Sequence, residues 1–171
     1  MSSDYDVPKI AQLKSVEALR ERLEELGCIL PVDDQPLSAS ESSPLAAPLT
    51  LAGREAGNRW CIHPMEGWDG ETDGRPSELT LRRWRHFGQS GAKWIWGGEA
   101  AAVRFDGRAN PRQILATPAH EDGLRQLRDT LVAAHREAFG STDDLVIGLQ
   151  LTHSGRFSRP TRSDLPEPRI A

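Results

Sequence analysis

Leu145 to Phe157, LVIGLQLTHSGRF, is the stretch whose reading decides the fold. Its first five residues are apolar around a single glycine, as in a strand covered on both faces. Gln150, Thr152, His153 and Arg156 follow at once. An apolar strand that delivers polar residues at its carboxyl end is the pattern by which parallel α/β sheets build their sites. Working toward the amino terminus, Ala119–Ala138 reads as a helix. Leu124, Leu127 and Leu131 set its apolar face, and Gly140 stops it. Before it come a loop, RFDGRANP (104–111), and a second strand, Lys93–Trp96, which ends at Gly97-Gly98. A second helix opens at Pro76-Ser77, carries Leu79, Leu81, Trp84 and Phe87, and ends near Gly88. The polar loop WDGETDGRP (68–76) precedes it, and before that Arg59–His63 forms a short strand closed by Pro64. Strand, helix, strand, helix, strand predicts parallel pairing. Function is then sought at Pro64-Met65-Glu66, at Gly97–Ala100 and at Gln150–His153.

The first 47 residues have a different texture. Ser15 caps a helix over 15–27 with Val16, Leu19, Leu23 and Leu26 on one face and Gly27 at its end. Pro31–Pro48 is rich in Pro, Ser and Ala and reads as connecting loop. The expected division is an N-terminal helix with an irregular or hairpin segment (1–47), followed by an α/β unit (48–171).

Composition narrows the classes. The 171 residues are 37% hydrophobic and 27% charged, with a formal net charge of −4. That suits a globular protein and argues against a general nucleic-acid binder, which is normally basic. No apolar run reaches the length of a membrane span. The opening MSSDYDVPKIAQLK lacks the apolar core of a signal peptide. Cys28 and Cys61 form no close pair, so a reducing cytoplasm is the expected setting. Trp60, Trp68, Trp84, Trp94 and Trp96 crowd one stretch and are expected to fill a core.

Several motifs bear on chemistry. A glutamine at a strand tip offers a donor and an acceptor to a flat heterocycle. On spacing alone, a polar strand end that satisfies loop backbone remains the simpler reading of GLQLTHSGRF. HPMEG, SGAKWIWGG and Gly-Gly-Glu-Ala remove side chains where a ligand could approach. Arg82-Arg83-Trp84-Arg85-His86 reads as the solvated face of a helix with Trp84 turned inward. Cys61 and His63 share a strand face, but no further metal ligands stand out. Neither a GxSxG elbow nor a glycine-rich phosphate loop is present.

Taken in order, NRWCIHPMEG (58–67), RRWRHFGQSGAKWIWGGEAAAVRFDGRANP (82–111), AHREAFG (134–140) and VIGLQLTHSGRFSRP (146–160) resemble the old yellow enzyme family of NADH:flavin oxidoreductases. The resemblance runs from about Pro48 to Ala171. It implies a TIM (β/α)8 barrel, of which this chain holds the first three β/α units, with FMN bound non-covalently at the strand carboxyl ends. The implied chemistry is hydride transfer from NADH or NADPH through the flavin to a small acceptor such as an activated alkene. Pro64 and Met65 match the segment that lies along the flavin. Glu66 falls where many relatives have Thr or Cys, a departure. Ala100 matches a small flavin-contacting residue, and Gln150 matches the glutamine that bonds the pyrimidine edge. His153 and Arg156 match QLxHxGR and are implied to support the site. In relatives the substrate-anchoring histidine, its partner, the proton-donating tyrosine and the phosphate loops come later, so catalytic residues stay unassigned. The chain is therefore expected to be an N-terminal portion, inactive alone. The alternatives are half of a split enzyme completed by a second polypeptide, and a non-enzymatic interaction protein that self-associates.

Overall fold

Ser77 begins the first helix of the sheet-bearing unit by local chemistry. Its side chain accepts hydrogen bonds from the amides of Leu79 and Thr80, and Thr80 Oγ1 accepts from the Ser77 amide at 3.3 Å, a capping box. In the computed structural model, which describes residues 9–168, this helix is flanked by parallel strands. In chain order the elements are α1 (Val16–Glu25), β1 (Leu49–Leu51), β2 (Arg54–Ala56), β3 (Cys61–Ile62), α2 (Glu78–Gln89), β4 (Trp94–Ala102), α3 (Glu121–Phe139) and β5 (Val146–Thr152). The chain divides into two compact units after Ser43. The expected boundary at 47 lies four residues beyond Ser43, inside the second unit. Residues 1–8 and 169–171, including most of the opening segment and the last three residues, lie outside the described part.

In the first unit, Ser15 caps α1 by accepting the Ala18 amide at 3.2 Å. The amides of Gly27 and Cys28 close the helix on the carbonyls of Glu24 and Leu23, both at 2.9 Å, a Schellman ending. Val16, Leu19 and Leu23 are only half-buried. The predicted helix is therefore present, but none of its residues is fully buried.

In the second unit, β1 and β2 pair antiparallel across Ala52-Gly53. Both turn residues have positive φ, 49° and 75°, the geometry that matches strand twist in a two-residue hairpin. The main sheet has the order β3-β4-β5, all parallel. Leu81 and Trp84 of α2 and Leu127 and Leu131 of α3 pack with Ile95 and Ala101 of β4 to form the core. Ile62 and Ile147 join it from the flanking strands. α2 ends one residue past Gly88, as the sequence predicts. A Cβ on Gly88 would collide with the Leu131 carbonyl, so the glycine lets α2 and α3 approach closely.

Four expectations change. The first strand is shorter than Arg59–His63, pairing only at Cys61 and Ile62. The second does not stop at Gly97-Gly98. These glycines, with φ of 82° and 40°, form a register shift between Trp96 and Ala100, after which pairing resumes through Ala102. At Gly97 a side chain would meet the Gln150 amide nitrogen at 2.8 Å, so only glycine fits the kink. The third strand likewise continues past Leu149 to Thr152. Leu79 is 53% exposed, and Thr80 takes the buried place near it.

The tryptophans are a further correction. Only Trp84 is buried, while Trp60, Trp68 and Trp96 are about half exposed. Ile95 and Ile147 turn toward the helices, so alternation puts Trp94 and Trp96 on the opposite face. Trp96 lies beside Gly148, and the two indoles of Trp94 and Trp96 are 6.0 Å apart.

Candidate functional site

The carboxyl ends of the three parallel strands meet through backbone first. The Ala100 amide donates to the Met65 carbonyl at 3.0 Å, and Ala100 stands opposite Gln150 in the ladder. Met65, Ala100 and Gln150 thus form one row across adjacent strands. Met65 is 70% exposed, Gln150 is exposed, and Ala100 is buried between them. The Gln150 side-chain amide has no hydrogen-bond partner among the described residues. Pro64 is half-buried and Glu66 exposed.

His153 and Arg156 serve their own loop. The His153 ring lies where a Cβ on Gly107 would stand, and its Nδ1 accepts the Gly155 amide at 3.1 Å. The Ser154 amide donates to the Gly107 carbonyl at 2.8 Å. Arg156 lies over the Phe157 ring, 4.8 Å from its centre.

Residues that sequence spacing did not single out hold this end of the sheet together. Gln113 is fully buried. Its Nε2 donates to the Ala100 carbonyl at 2.6 Å and to Thr152 Oγ1 at 3.1 Å, and its Oε1 accepts the Ala109 amide at 2.6 Å. Asn110, also buried, donates to the Gly67 carbonyl at 3.1 Å. Arg108 is 1% exposed; its guanidinium donates to the carbonyls of Thr72, Pro111 and Pro160 and stacks on Phe105.

Arg83 also departs from the sequence reading. Arg82, Arg85 and His86 are exposed as expected, but Arg83 is half-buried. It donates to Asp69 through Nε and Nη2 at 2.9 and 2.8 Å, to Glu99 at 2.6 Å and to the Gly98 carbonyl at 3.0 Å. Glu99 is fully buried and accepts the Gly67 amide at 2.6 Å, which ties the segment after Met65 to the β4 kink. Burial pushes the Glu99 carboxyl above its usual range despite Arg83. Burial also acts to raise Asp69, but the bonds and charge of Arg83 outweigh it and hold that carboxyl below its usual range. One cation thus serves two carboxylates, and Asp69 is the more firmly ionised. The buried carboxylate beside the row is Glu99, whereas sequence reading placed the notable one at Glu66.

A second polar cluster lies at the opposite end of the strands. His135 is fully buried on α3, with Nδ1 bonded to the Gly88 carbonyl at 2.9 Å. Lys93 bridges its Nε2, at 3.0 Å, to Asp144, at 2.8 Å. Burial lowers the His135 pKa from its ordinary 6.5, and the Lys93 charge adds to this. A depressed histidine contributes stability above its unfolded pKa and loses it as pH falls through the folded one. Denaturant midpoints are therefore expected to fall as pH drops from about 6.5 toward 5. His135→Gln, whose amide can replace both bonds, is expected to flatten this drop relative to the unmutated chain. An unchanged slope in the variant sinks the assignment.

Among the described residues no group of three His, Cys, Asp or Glu is placed to hold a metal ion, and no helix is long and apolar enough to cross a membrane. An open cavity of about 490 Å3, lined by Trp84, Leu124, Ile147 and Leu149, lies on the helix side of β5 and includes none of the row residues.

Parallel strands joined by helices, with polar groups gathered at the strand carboxyl ends, define an α/β protein of the class that places its site at that end. Solved structures of the same fold are old yellow enzymes and their kin. The old yellow enzyme from Trypanosoma cruzi is 22% identical over 67% of this chain, with a TM-score of 0.53. Morphinone reductase is 24% identical over 67%, with a TM-score of 0.52. The old yellow enzyme homologue from Zymomonas mobilis is 17% identical over 74%, with a TM-score of 0.56. The chain spans 28%, 28% and 38% of those chains, respectively. At these identities the likeness is one of fold, and it agrees with the resemblance carried by the sequence motifs. No protein-family model matches the chain, and no curated protein sequence matches it.

Proposed function

We propose that the chain is the N-terminal portion of an FMN-dependent NAD(P)H oxidoreductase of the old yellow enzyme type, contributing the first three β/α units of a TIM barrel. The observation that carries this reading is the row Met65–Ala100–Gln150. It sets an exposed thioether and an uncommitted amide on either side of Ala100 at the carboxyl end of the sheet. Such a pairing fits a flat ring with an apolar body and a donor–acceptor edge. Gln150 would hold the pyrimidine edge, and Pro64, Met65 and Ala100 would hold the ring. Glu66 is exposed at the end of this segment, and its charge disfavours an anionic reduced ring. His153 and Arg156 would support the site indirectly, by ordering the loop that follows Gln150.

When bound, the flavin takes a hydride from NADH or NADPH and passes it to a small acceptor such as an activated alkene. Three strands do not close a barrel, so turnover in a cytoplasmic setting requires the remaining barrel units beside these three. A non-catalytic interaction protein is the second reading, favoured by the exposed apolar residues Leu149 and Leu151 on β5.

The test is a titration of the chain with FMN, read by quenching of flavin fluorescence. Saturable quenching is expected, weakened about thirtyfold by Gln150→Ala through the loss of two hydrogen bonds of about 1 kcal/mol each. A folded chain that leaves FMN fluorescence unchanged overturns the flavin reading.

A further inference from the structure

The segment after Pro64 is pinned through its backbone while its side chains stay in solvent. The Met65 carbonyl accepts the Ala100 amide at 3.0 Å. Gly67 is gripped twice: its amide donates to Glu99 at 2.6 Å, and its carbonyl accepts Asn110 Nδ2 at 3.1 Å. Both gripping side chains are fully buried, whereas Met65 and Glu66 are exposed. A fixed backbone that presents exposed side chains is what a pre-organised binding surface requires. Gly67 has no room for a side chain of its own. Its Cβ would stand 2.6 Å from Arg83 Nη2 and 2.9 Å from Glu99 Oε1.

Stability alone does not call for this arrangement. A buried ion pair is often no more stabilising than apolar side chains of similar volume. What Glu99 supplies, and leucine would not, is an acceptor for the Gly67 amide, set in place by Arg83 at 2.6 Å. Asn110 is fixed in the same manner. Its Oδ1 accepts the Arg112 amide at 2.9 Å, which leaves Nδ2 aimed at Gly67. We propose that Glu99 and Asn110 are positioning residues for the flavin ring: they hold Gly67 from both sides, so that Met65 and Glu66 meet the ring from a backbone already fixed before it binds. This rests on the flavin reading of the row Met65–Ala100–Gln150, and the two can fail separately.

The test combines FMN titration, read by fluorescence quenching, with hydrogen exchange of the flavin-free chain. Glu99→Leu and Asn110→Ala are each expected to weaken FMN binding about tenfold. Glu99→Gln keeps an oxygen for the Gly67 amide and is expected to weaken it by no more than about threefold. Leu131→Ala, which loosens the core from α3, is expected to leave the affinity of the folded chain unchanged. Without flavin, exchange at the Gly67 amide is expected to quicken in Glu99→Leu beyond the global loss of stability. If Glu99→Leu fails to fold, Asn110→Ala decides, with exchange at Met65–Gly67 as its flavin-free readout. Wild-type binding that Glu99→Leu and Asn110→Ala leave intact, or that Leu131→Ala weakens equally, overturns the positioning role and spares the flavin reading. So does a Glu99→Gln chain that binds no better than Glu99→Leu. A folded wild-type chain that does not quench FMN overturns both.

Discussion

Arg83→Ala is expected to lower the unfolding free energy by about 3–5 kcal/mol at neutral pH, read from urea denaturation. The substitution leaves Glu99 fully buried with no cation, while the Gly67 amide still holds it in place. An uncompensated buried carboxylate is among the costliest defects a core can hold. The loss is expected to shrink in acid. Burial raises the Glu99 carboxyl in the folded chain, so the folded state takes up a proton before the unfolded state does. Relative stability is therefore gained as pH falls through the raised value and lost as pH rises through it. Arg83→Ala/Glu99→Gln is expected to recover part of the loss at neutral pH, because the neutral amide needs no cation. A loss independent of pH in the single variant, with no recovery in the double, contradicts this account.

Arg108→Met is expected to cost about 3 kcal/mol, because a charged donor that serves three backbone carbonyls disappears from a buried position. Methionine fills much of the volume but supplies no donor. The effect is also regional. Arg108 accepts the Arg159 amide at its own carbonyl, at 2.8 Å, and its guanidinium holds Pro160. Hydrogen exchange is expected to quicken most at the amides of Arg159 and Glu167, while amides within α3 quicken only by the global loss of stability. Uniform quickening across the second unit is the outcome that removes Arg108 from this role.

Much of the sheet-bearing unit was legible because its signals are local. Ser77 and Ser15 cap helices by their own hydroxyls, Leu124, Leu127 and Leu131 repeat at helical spacing, and Val146–Leu149 is an unbroken apolar run. The alternation of helices and strands then requires parallel pairing, which the order β3-β4-β5 shows. Strand ends were less legible. Gly97-Gly98 looks like a stop, and it is a stop only if pairing fails beyond it. Here Ala100–Ala102 find Gln150–Thr152, and the strand resumes.

The candidate site was legible as positions and not as contacts. Pro64, Met65, Ala100 and Gln150 were singled out by motif, and the backbone does bring Met65, Ala100 and Gln150 into one row. Gln113, Asn110 and Arg108 carried no signal. Their partners are carbonyls and amides many residues away, and backbone groups look alike in every sequence. Arg83 was misread for the same reason. In RRWRH it is one of three arginines, and only the fold brings Asp69 and Glu99 to that one.

By itself, then, the sequence determined the helices, their caps, the parallel order of the strands and the end of the sheet where polar groups gather. Each of these follows from short-range periodicity or from a side chain acting on its own backbone. Tertiary structure alone decided which tryptophan is buried, where β4 ends, that Glu99 is an enclosed carboxylate, and that Arg83 is its counter-ion. Burial and charge pairing depend on what the rest of the chain places nearby, and no local pattern encodes that.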